Sequence, residues 1–269
     1  MFNGLLSIIN YQLSMISKNK IKLIRSLALK KNRDADKVFV AEGRKLVADL
    51  LPHFSPLYLA ATAEWMSANP ALSRYFPAEM DVVTDDELQR ASLQQSPQGV
   101  LAIFRQQSDD TPLAEVASRE LCLMLDDVQN PGNLGTIVRL ADWFGIRHVY
   151  CSQGTADIYG PKTVQATMGS LARVRVHYSD LPAVLRSLPS SAQIPVYGTF
   201  LDASSLYDAP LSQHGIIVMG NEGNGISPSV AQYVNRRLFI PPYPEGRDTA
   251  ESLNVAIATA IVCAEFRRH

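Results

Sequence analysis

The sequence has few cysteines and almost no net charge. Its 269 residues include three cysteines, Cys122, Cys151 and Cys263, and carry a formal net charge of −1. An odd number of widely spaced cysteines does not make a disulfide framework, so we expect buried thiols that act as small hydrophobic groups. A nearly neutral chain is not a general polycation. Any contact with nucleic acid therefore needs a local basic patch.

Metal-ligand spacing and targeting segments are also missing. The five histidines are scattered along the chain, so we predict no metal site. Residues 1–16 lack a charged leader, a long apolar run and a cleavage signature, and Met15 is an alternative start. We therefore expect a cytoplasmic protein that does not enter a membrane.

The length and composition predict two globular domains. Apolar residues make up 46% of the chain and charged residues 19%, as in ordinary soluble proteins. The segment before residue 121 is polar and contains Pro112 and the pair Asp109 and Asp110, which is typical of a linker. The predicted division is an N-terminal extension (1–17), a smaller α/β domain (18–105), a linker (106–120) and a second domain (121–269).

The first domain begins with an amphipathic helix. Ile21, Ile24 and Ala28 are predicted to share its apolar side, and Lys18, Lys22 and Arg25 form a second stripe, the basic face. Five further cations extend this basic end: Lys20, Lys30, Lys31, Arg33 and Lys37. The basic face is either a solvated helix surface or a contact for RNA phosphates, which need clustered cations.

The rest of the first domain alternates strands and helices. Strands are predicted at 38–41, 57–59 and 99–104, and a helix at 44–51. Thr84 and Glu87 have the spacing of a capping box, in which each side chain bonds the backbone amide of the other residue.

From residue 121 onward, short apolar runs alternate with glycine-containing loops and helical patterns. The runs lie at 121–125, 149–151, 174–176, 195–198, 216–219 and 238–240. Strands separated by helices predict an α/β domain with a mainly parallel sheet.

The first of three motifs is NPGNLGTIVR at residues 130–139. It is predicted to open a helix with Leu134, Ile137, Val138 and Ala141 on the buried side, ended by Gly145. Asn133 and Arg139 suit a phosphate or a ribose, and Gly135 is predicted to leave space beside the guanidinium of Arg139. An N-capped surface helix with an incidental arginine is the alternative.

The second motif, GNEGNG at residues 220–225, directly follows a predicted strand. Its three glycines allow a sharp turn and a close approach of a ligand to the backbone. The glycine spacing differs from that of dinucleotide-binding loops, and the lysine of phosphate-binding loops is absent. The motif alone predicts only that a compact or planar group approaches here.

The third motif, SLNV at residues 252–255, is predicted to start a helix at Leu253 with Ser252 as its N-cap. This helix, 253–266, is apolar on nearly all sides. It must be buried either in the core or against a second copy of the chain.

Together and in this order, the motifs resemble the SpoU (TrmH) family of RNA ribose 2′-O-methyltransferases in the SPOUT superfamily. The resemblance covers residues 121–266. Residues 38–43 (VFVAEG) and 97–100 (PQGV) are similar to the substrate-binding domain of two-domain members. The resemblance implies a smaller N-terminal RNA-binding domain. It also implies a C-terminal trefoil knot, which sequence spacing alone does not reveal.

The resemblance also implies a cofactor, S-adenosylmethionine, and roles for particular residues. Residues matching the family's cofactor contacts are Gly220, Glu222, Gly223, Ile240, Leu253 and Asn254. Residues expected to support the reaction are Asn133, Arg139, Glu222, Ser252 and Asn254. Arg139, together with the basic face and Lys30, is expected to contact RNA. The family forms a homodimer, so Arg139 is expected beside the cofactor of the partner copy.

One departure from the family is the loop at 241–251, which is longer than usual and is predicted to cover the cofactor, with Arg247 near the RNA. The expected activity is methylation of ribosomal RNA at a ribose 2′-hydroxyl, without a metal. Methylation of tRNA and a non-catalytic RNA-binding protein are the alternatives. A nucleotide-dependent oxidoreductase is disfavoured by the glycine spacing.

Overall fold

The computed structural model describes residues 13–189, 193–244, 250 and 252–268. The chain divides into two compact units, Met1–Gln106 and Gln107–His269.

Within its described residues, the first unit has a four-stranded sheet and five α-helices. Its helices are α1 (Lys18–Ser26), α2 (Lys30–Asp36), α3 (Arg44–Leu50), α4 (Ala63–Ala68) and α5 (Asp85–Ala91). Its strands are β1 (Val38–Glu42), β2 (Pro56–Ala61), β3 (Met80–Val82) and β4 (Val100–Arg105). The strand order is β1-β4-β2-β3, with β4 antiparallel to both neighbours and β2 parallel to β3. The predicted strands and the helix at 44–51 are all present.

Several predictions for the first unit need correction. Helix α1 ends at Ser26, so Leu27 rather than Ala28 joins Ile24 in the core. Arg33 is only 3% exposed and donates to the carbonyl oxygens of Leu27 and Ala28 at 2.6 and 2.9 Å. It therefore closes the turn between α1 and α2 and is not part of a basic surface.

The capping box at the start of α5 has one of its two predicted bonds. Thr84 accepts from the amide of Glu87 at 3.3 Å, whereas the carboxylate of Glu87 pairs with Arg90 at 2.7 Å. The expected N-terminal extension also overlaps the first unit. The amide of Ser14 donates to the carbonyl of Val82 at 2.8 Å, and Ile16 is buried.

The second unit is a six-stranded sheet in which every pairing is parallel. Its strands are β5 (Leu121–Leu125), β6 (His148–Cys151), β7 (Arg175–Tyr178), β8 (Val196–Ser205), β9 (Gly215–Met219) and β10 (Arg236–Phe239). Its helices are α6 (Leu113–Ala117), α7 (Pro131–Trp143), α8 (Pro161–Ala166), α9 (Leu181–Arg186), α10 (Pro228–Ala231) and α11 (Val255–Phe266). The strand order is β10-β8-β9-β5-β6-β7. The predicted parallel α/β fold is confirmed.

The core of this unit overturns one local prediction and agrees with another. Helix α6 lies within residues 106–120, the predicted linker, and buries Leu113, Val116 and Ala117 against the sheet. The apolar side of α6 decides where the helix packs, although the surrounding segment is polar in composition. Cys122, Cys151 and Cys263 are buried free thiols whose pKa is raised by burial, as expected of small core side chains.

No helix in the described part of the chain is long and apolar enough to cross a membrane.

Candidate active site

The three motifs lie at the carboxyl edge of the parallel sheet. Strands β5 and β9 are paired along their whole length and end at the partners Leu125 and Met219. The loops that follow them, which carry the first and second motifs, therefore begin side by side. The direction of strand order also reverses at β5. In open α/β sheets, ligands bind outside the carboxyl ends of the strands at such a reversal.

The first motif folds as predicted into the start of α7. Asn130 is the N-cap, and its side-chain oxygen accepts from the amides of Gly132 and Asn133 at 2.8 and 3.1 Å. The four predicted core residues of this helix are fully buried. Gly145 ends the helix with φ +66°: its amide and that of Ile146 return to the carbonyls of Asp142 and Ala141, a Schellman motif.

The second motif is a closed backbone turn. Gly220 lies so near Gly225 that a Cβ at position 220 would come within 2.1 Å of the carbonyl carbon of Gly225. Asn221 and Gly225 exchange two backbone hydrogen bonds, at 2.9 and 3.0 Å. The side-chain oxygen of Asn221 also accepts from the amides of Gly223 and Asn224. The loop thus consumes its own N–H groups at residues 221, 223, 224 and 225.

The third motif corrects the predicted helix start. Asn254, not Ser252, is the N-cap of α11, and its side-chain oxygen accepts from the amides of Ala256 and Ile257 at 3.0 and 3.3 Å. The helix begins at Val255. Helices α7 and α11 run side by side in the same direction, because Asn254 bonds Asn133 at one end and Arg267 bonds the carbonyl of Phe144 at the other.

A directional chain of side-chain amides joins all three motifs. Asn254 donates from Nδ2 to Oδ1 of Asn133 at 3.1 Å, and Asn133 donates from Nδ2 to Oε1 of Glu222 at 2.8 Å. Since Asn254 Oδ1 already caps α11, the direction of each bond is fixed. Glu222 ends the chain as a carboxylate acceptor beside the first turn of α7, where the helix dipole favours negative charge.

The chemical character of this site follows from which groups remain free. A phosphate-binding loop presents free backbone N–H groups, and here four of them are used within the loop. What remains is a carboxylate and carbonyl oxygens, with no side chain on Gly223 or Gly225 to cover them. Within 4 Å, a Cβ at position 225 would meet nothing, and one at 223 would meet only the Asn221 oxygen at 3.6 Å. The loop suits a cationic or N–H-rich ligand.

Arg139 lies apart from this amide chain. It is six residues after Asn133 on α7, which places it about 9 Å further along the axis and about 120° around it. Arg139 is exposed, and its guanidinium forms no hydrogen bond or ion pair with the residues that the structure describes. A single copy of the chain therefore does not bring Arg139 and Glu222 together.

Gly135 has a different role from the predicted one. A Cβ there would lie 2.4 Å from Cβ of Ala166 and 2.8 Å from the carbonyl oxygen of Thr163. The missing side chain lets α8 pack closely on α7, so α8 fills the space at Gly135 and that space is not available to a ligand.

The remaining predicted site residues lie around the same edge. Ile240 is half-buried just after β10, while Ser252 and Leu253 are exposed just before α11, Leu253 by 49%. Their predicted contact with a cofactor stays a prediction. Arg247 and most of the loop at 241–251 lie outside the described residues.

In the first unit, all three residues of the basic face are exposed. Lys30 is also exposed but pairs with Asp34 at 2.7 Å, and Lys20 pairs with Glu79 at 2.6 Å over the ring of Tyr58. The basic face therefore provides three exposed cations, and Lys30 contributes less net positive charge than the sequence indicated.

The structure also brings together residues that sequence reasoning left apart. His148 Nδ1 lies 3.0 Å from His177 Nε2, and His177 Nδ1 lies 2.8 Å from the carbonyl oxygen of Asp109. Asp109 also accepts from Thr111 and faces Arg175. Burial raises the pKa of Asp109, but the Thr111 bonds and the two imidazoles outweigh it and hold that pKa below its usual value.

Although Asp109, His148 and His177 are near enough for a shared metal ion, we assign them a structural role. Thr111 and Arg175 already engage the carboxylate, and the imidazoles bond each other. Neighbouring strands β6 and β7 carry the two histidines, so the pairing depends on strand order and has no local signal in the sequence.

Comparison with known proteins gives two family matches. Residues 120–264 match the model described as the SpoU rRNA Methylase family, and residues 18–102 match the MRM3-like substrate binding domain. The chain is 29% identical over 257 residues to the "23S rRNA (guanosine(2553)-2'-O)-methyltransferase RlmP" of Bacillus subtilis, covering 95% of this chain and 99% of that protein.

Two solved structures are similar over nearly the whole chain. A putative RNA methyltransferase of the TrmH family from Porphyromonas gingivalis is 44% identical with a TM-score of 0.84, covering 95% of this chain and 99% of that one. An AdoMet-bound rRNA methyltransferase from Sinorhizobium meliloti is 30% identical with a TM-score of 0.82, covering 96% and 98%.

Proposed function

Since the chain belongs to the SpoU rRNA methylase family, we propose that it methylates a ribose 2′-hydroxyl of RNA with S-adenosylmethionine as the methyl donor. Ribosomal RNA is the substrate class that the curated relative and the solved rRNA methyltransferase favour. The observation that carries the proposal is the amide chain from Asn254 through Asn133 to Glu222. It joins three segments that are far apart in sequence at one edge of the sheet.

The residues present fit this cofactor. S-adenosylmethionine supplies a methyl group already activated by a positively charged sulfur, and it carries an ammonium group and an adenine amine. The carboxylate of Glu222 and the carbonyl oxygens of a loop that has used its own N–H groups are acceptors for such a ligand. Gly220, Gly223, Ile240 and Leu253 are proposed as its further contacts. A dinucleotide phosphate would find few donors in this loop.

The chain's own residues supply position and charge. Asn133, which accepts a bond from Asn254, holds the Glu222 carboxylate near the N-terminus of α7, and exposed Ser252 is proposed to support the same edge. The guanidinium of Arg139 does not give up its proton, so we propose that it fixes an RNA phosphate and stabilises the ribose 2′-oxygen as the hydroxyl proton passes to water. Well-aligned groups contribute on the order of 7–11 kcal/mol to such reactions.

We also propose that the site is completed by a second copy of the chain. Helix α11 buries one side, while Ile257 is 54% exposed and Ala264 is exposed on the same stripe, with half-buried Ile261 between them. This unpartnered apolar stripe suits a homodimer. Because Arg139 lies about 9 Å along α7 and about 120° around it from Asn133, the residue that bonds Glu222, we propose that it serves the site of the partner copy.

The first unit is proposed to bind RNA through the basic face, with Lys30 at its border. A cytoplasmic location, the domain boundaries, the trefoil knot and the lid role of the loop at 241–251 stay predictions. Support for the RNA role comes from the match to a substrate-binding domain and from the three exposed cations.

The proposed function is tested by mapping 2′-O-methylated positions in total RNA. Cells lacking the gene should lose one or more ribosomal sites, and these should return with the wild-type chain but not with Arg139→Ala. S-adenosylmethionine should raise the melting temperature of the wild-type protein and of Arg139→Ala alike, because it binds only the folded state. Unchanged RNA maps and no thermal shift would reject the enzyme and favour a non-catalytic RNA-binding protein.

A cross-complementation experiment tests the shared site. Arg139→Ala and Glu222→Ala should each be inactive alone. A heterodimer of the two variants contains one intact composite site, so it should recover about half of the wild-type activity, since a two-fold interface pairs each residue reciprocally. No recovery in purified heterodimers would show that both residues act within one chain.

A further inference from the structure

Asn221, which the reaction described above does not use, has its polar groups committed to the backbone. Its Oδ1 accepts from the amides of Gly223 and Asn224 at 2.8 and 3.1 Å, and its Nδ2 donates to the carbonyl of Asp127 at 2.8 Å. Its own backbone N–H and C=O bond Gly225. The side chain therefore closes the glycine loop and ties it to the turn that follows β5.

A second tie joins the same two loops at the far end of the glycine turn. Asp126 is buried, and its carboxylate accepts from the amide of Ser227 at 2.7 Å. Asp126 also donates its amide to the carbonyl of Met219 at 2.9 Å. The glycine loop is held at both ends, and Glu222 sits on the held segment immediately after Asn221.

We propose that Asn221 is a positioning residue for Glu222: its amide side chain sets the loop so that the Glu222 carboxylate meets Asn133 and faces the methyl donor. This inference rests on the proposed function. Only a side chain that accepts two N–H groups and donates one N–H can make all three bonds. An aspartate at this position keeps the acceptor but turns a carboxylate oxygen toward the carbonyl of Asp127.

The consequence of losing Asn221 follows from these bonds. Without the acceptor at Oδ1, the amides of Gly223 and Asn224 lose their partner, and the loop is free to adopt other backbone conformations. Gly223, Asn224 and Gly225 are exposed, so this freedom involves little of the core. The loss should therefore fall on cofactor binding and turnover rather than on global stability.

The experiment compares Asn221→Ala and Asn221→Asp with Asn224→Ala, a change at an exposed neighbour in the same loop. The dissociation constant for S-adenosylmethionine, kcat and the melting temperature are measured on the full chain. Asn221→Ala should weaken binding about tenfold or more, which corresponds to about 1.4 kcal/mol, with nearly the wild-type melting temperature. Asn221→Asp should fall between Asn221→Ala and the wild type, and Asn224→Ala should match the wild type.

A double-mutant cycle with Glu222→Gln separates positioning from general loosening. If Asn221 acts through Glu222, the glutamine change should cost much less in the Asn221→Ala background than in the wild type, a coupling of about fivefold or more. Multiplicative effects, or binding losses that follow the melting temperature, would overturn the inference. A wild-type protein that neither binds the donor nor methylates RNA would instead overturn the proposed function.

Discussion

Asn254 performs two tasks that different substitutions separate. Its Oδ1 caps α11 by accepting from the amides of Ala256 and Ile257, and its Nδ2 donates to Asn133. Asn254→Ala removes both tasks. Asn254→Asp keeps an oxygen at the cap and removes only the donor. Stability and activity should therefore respond differently to the two changes.

The effect on stability can be bounded from the capping bonds. Replacing an N-cap asparagine by alanine costs about 0.5–2 kcal/mol, whereas aspartate caps as well as asparagine and has a favourable charge near the helix dipole. We therefore expect Asn254→Ala to lower the free energy of unfolding by about 1 kcal/mol and Asn254→Asp to leave it nearly unchanged.

Although Asn254→Asp keeps the cap of α11, it should damage the site. The new carboxylate would face Oδ1 of Asn133, two acceptors without a proton between them. Rotating the Asn133 amide does not help, because its oxygen would then face Glu222. One acceptor pair remains in either orientation. The Asn254–Asn133 bond is exposed, so in the free protein the two acceptors can separate and bond water with little loss of stability. Restoring the alignment of Glu222 in the bound state then costs about 1–3 kcal/mol, and we expect roughly a tenfold loss or more in cofactor affinity or turnover.

The assay is urea denaturation together with methyl transfer from radiolabelled S-adenosylmethionine to RNA. Asn254→Asp should unfold like the wild type and be strongly impaired, and Asn254→Ala should be defective in both measurements. Ser252→Ala is the control for stability, because Ser252 is not the N-cap. Wild-type activity in Asn254→Asp would refute the argument that the direction of the amide chain matters.

Three further outcomes are expected. Gly135→Ala should lower the free energy of unfolding by about 1–3 kcal/mol, because the new Cβ would lie 2.4 Å from that of Ala166. Thr136→Ala, on the exposed side of α7, should not lower it. If Gly135→Ala were as stable as the wild type, α8 would have to shift freely. Neutralising the basic face should weaken RNA binding and reduce the slope of log affinity against log salt by roughly two to three, and an unchanged slope would place the RNA elsewhere. Burial, and then the neighbouring His177, lower the pKa of His148 in the folded protein. As the pH drops below about 6.5, the unfolded state therefore takes up a proton first, and the free energy of unfolding should fall. Denaturation of His148→Gln should show a weaker pH dependence in that range, and an unaltered pH dependence would contradict the assignment.

Much of the fold could be predicted because its signals are local. The six apolar runs of the second unit become the six parallel strands, each within a few residues of its predicted position, and only β8 extends well beyond it, to Ser205. Gly145 also ends α7 as predicted, since a glycine with positive φ suits a helix terminus. Periodicity and end signals act over a few residues, which is the range that a single sequence exposes.

The misplaced details depend on how separate helices and loops pack against one another. Nothing near Gly135 in the sequence indicates that α8 occupies the space beside it. The burial of Arg33 depends on the turn between α1 and α2. Ser252 and Asn254 are both good N-cap residues by type. In the structure Asn254 is the N-cap, and it also bonds Asn133. These outcomes are set by tertiary packing, which overrides local preference.

In the site, one side chain carries the negative charge, and other side chains hold that side chain in place. Glu222 carries the negative charge, but its position depends on Asn133, which depends on Asn254, and on a loop closed by Asn221. These supporting side chains are neutral amides, which keep one direction of hydrogen bonding and do not change charge with pH. A reaction whose methyl group is already activated needs alignment more than proton transfer. A site built from amides around one carboxylate meets that need, and it fits the proposal that Arg139, on a different side of α7, acts on the RNA.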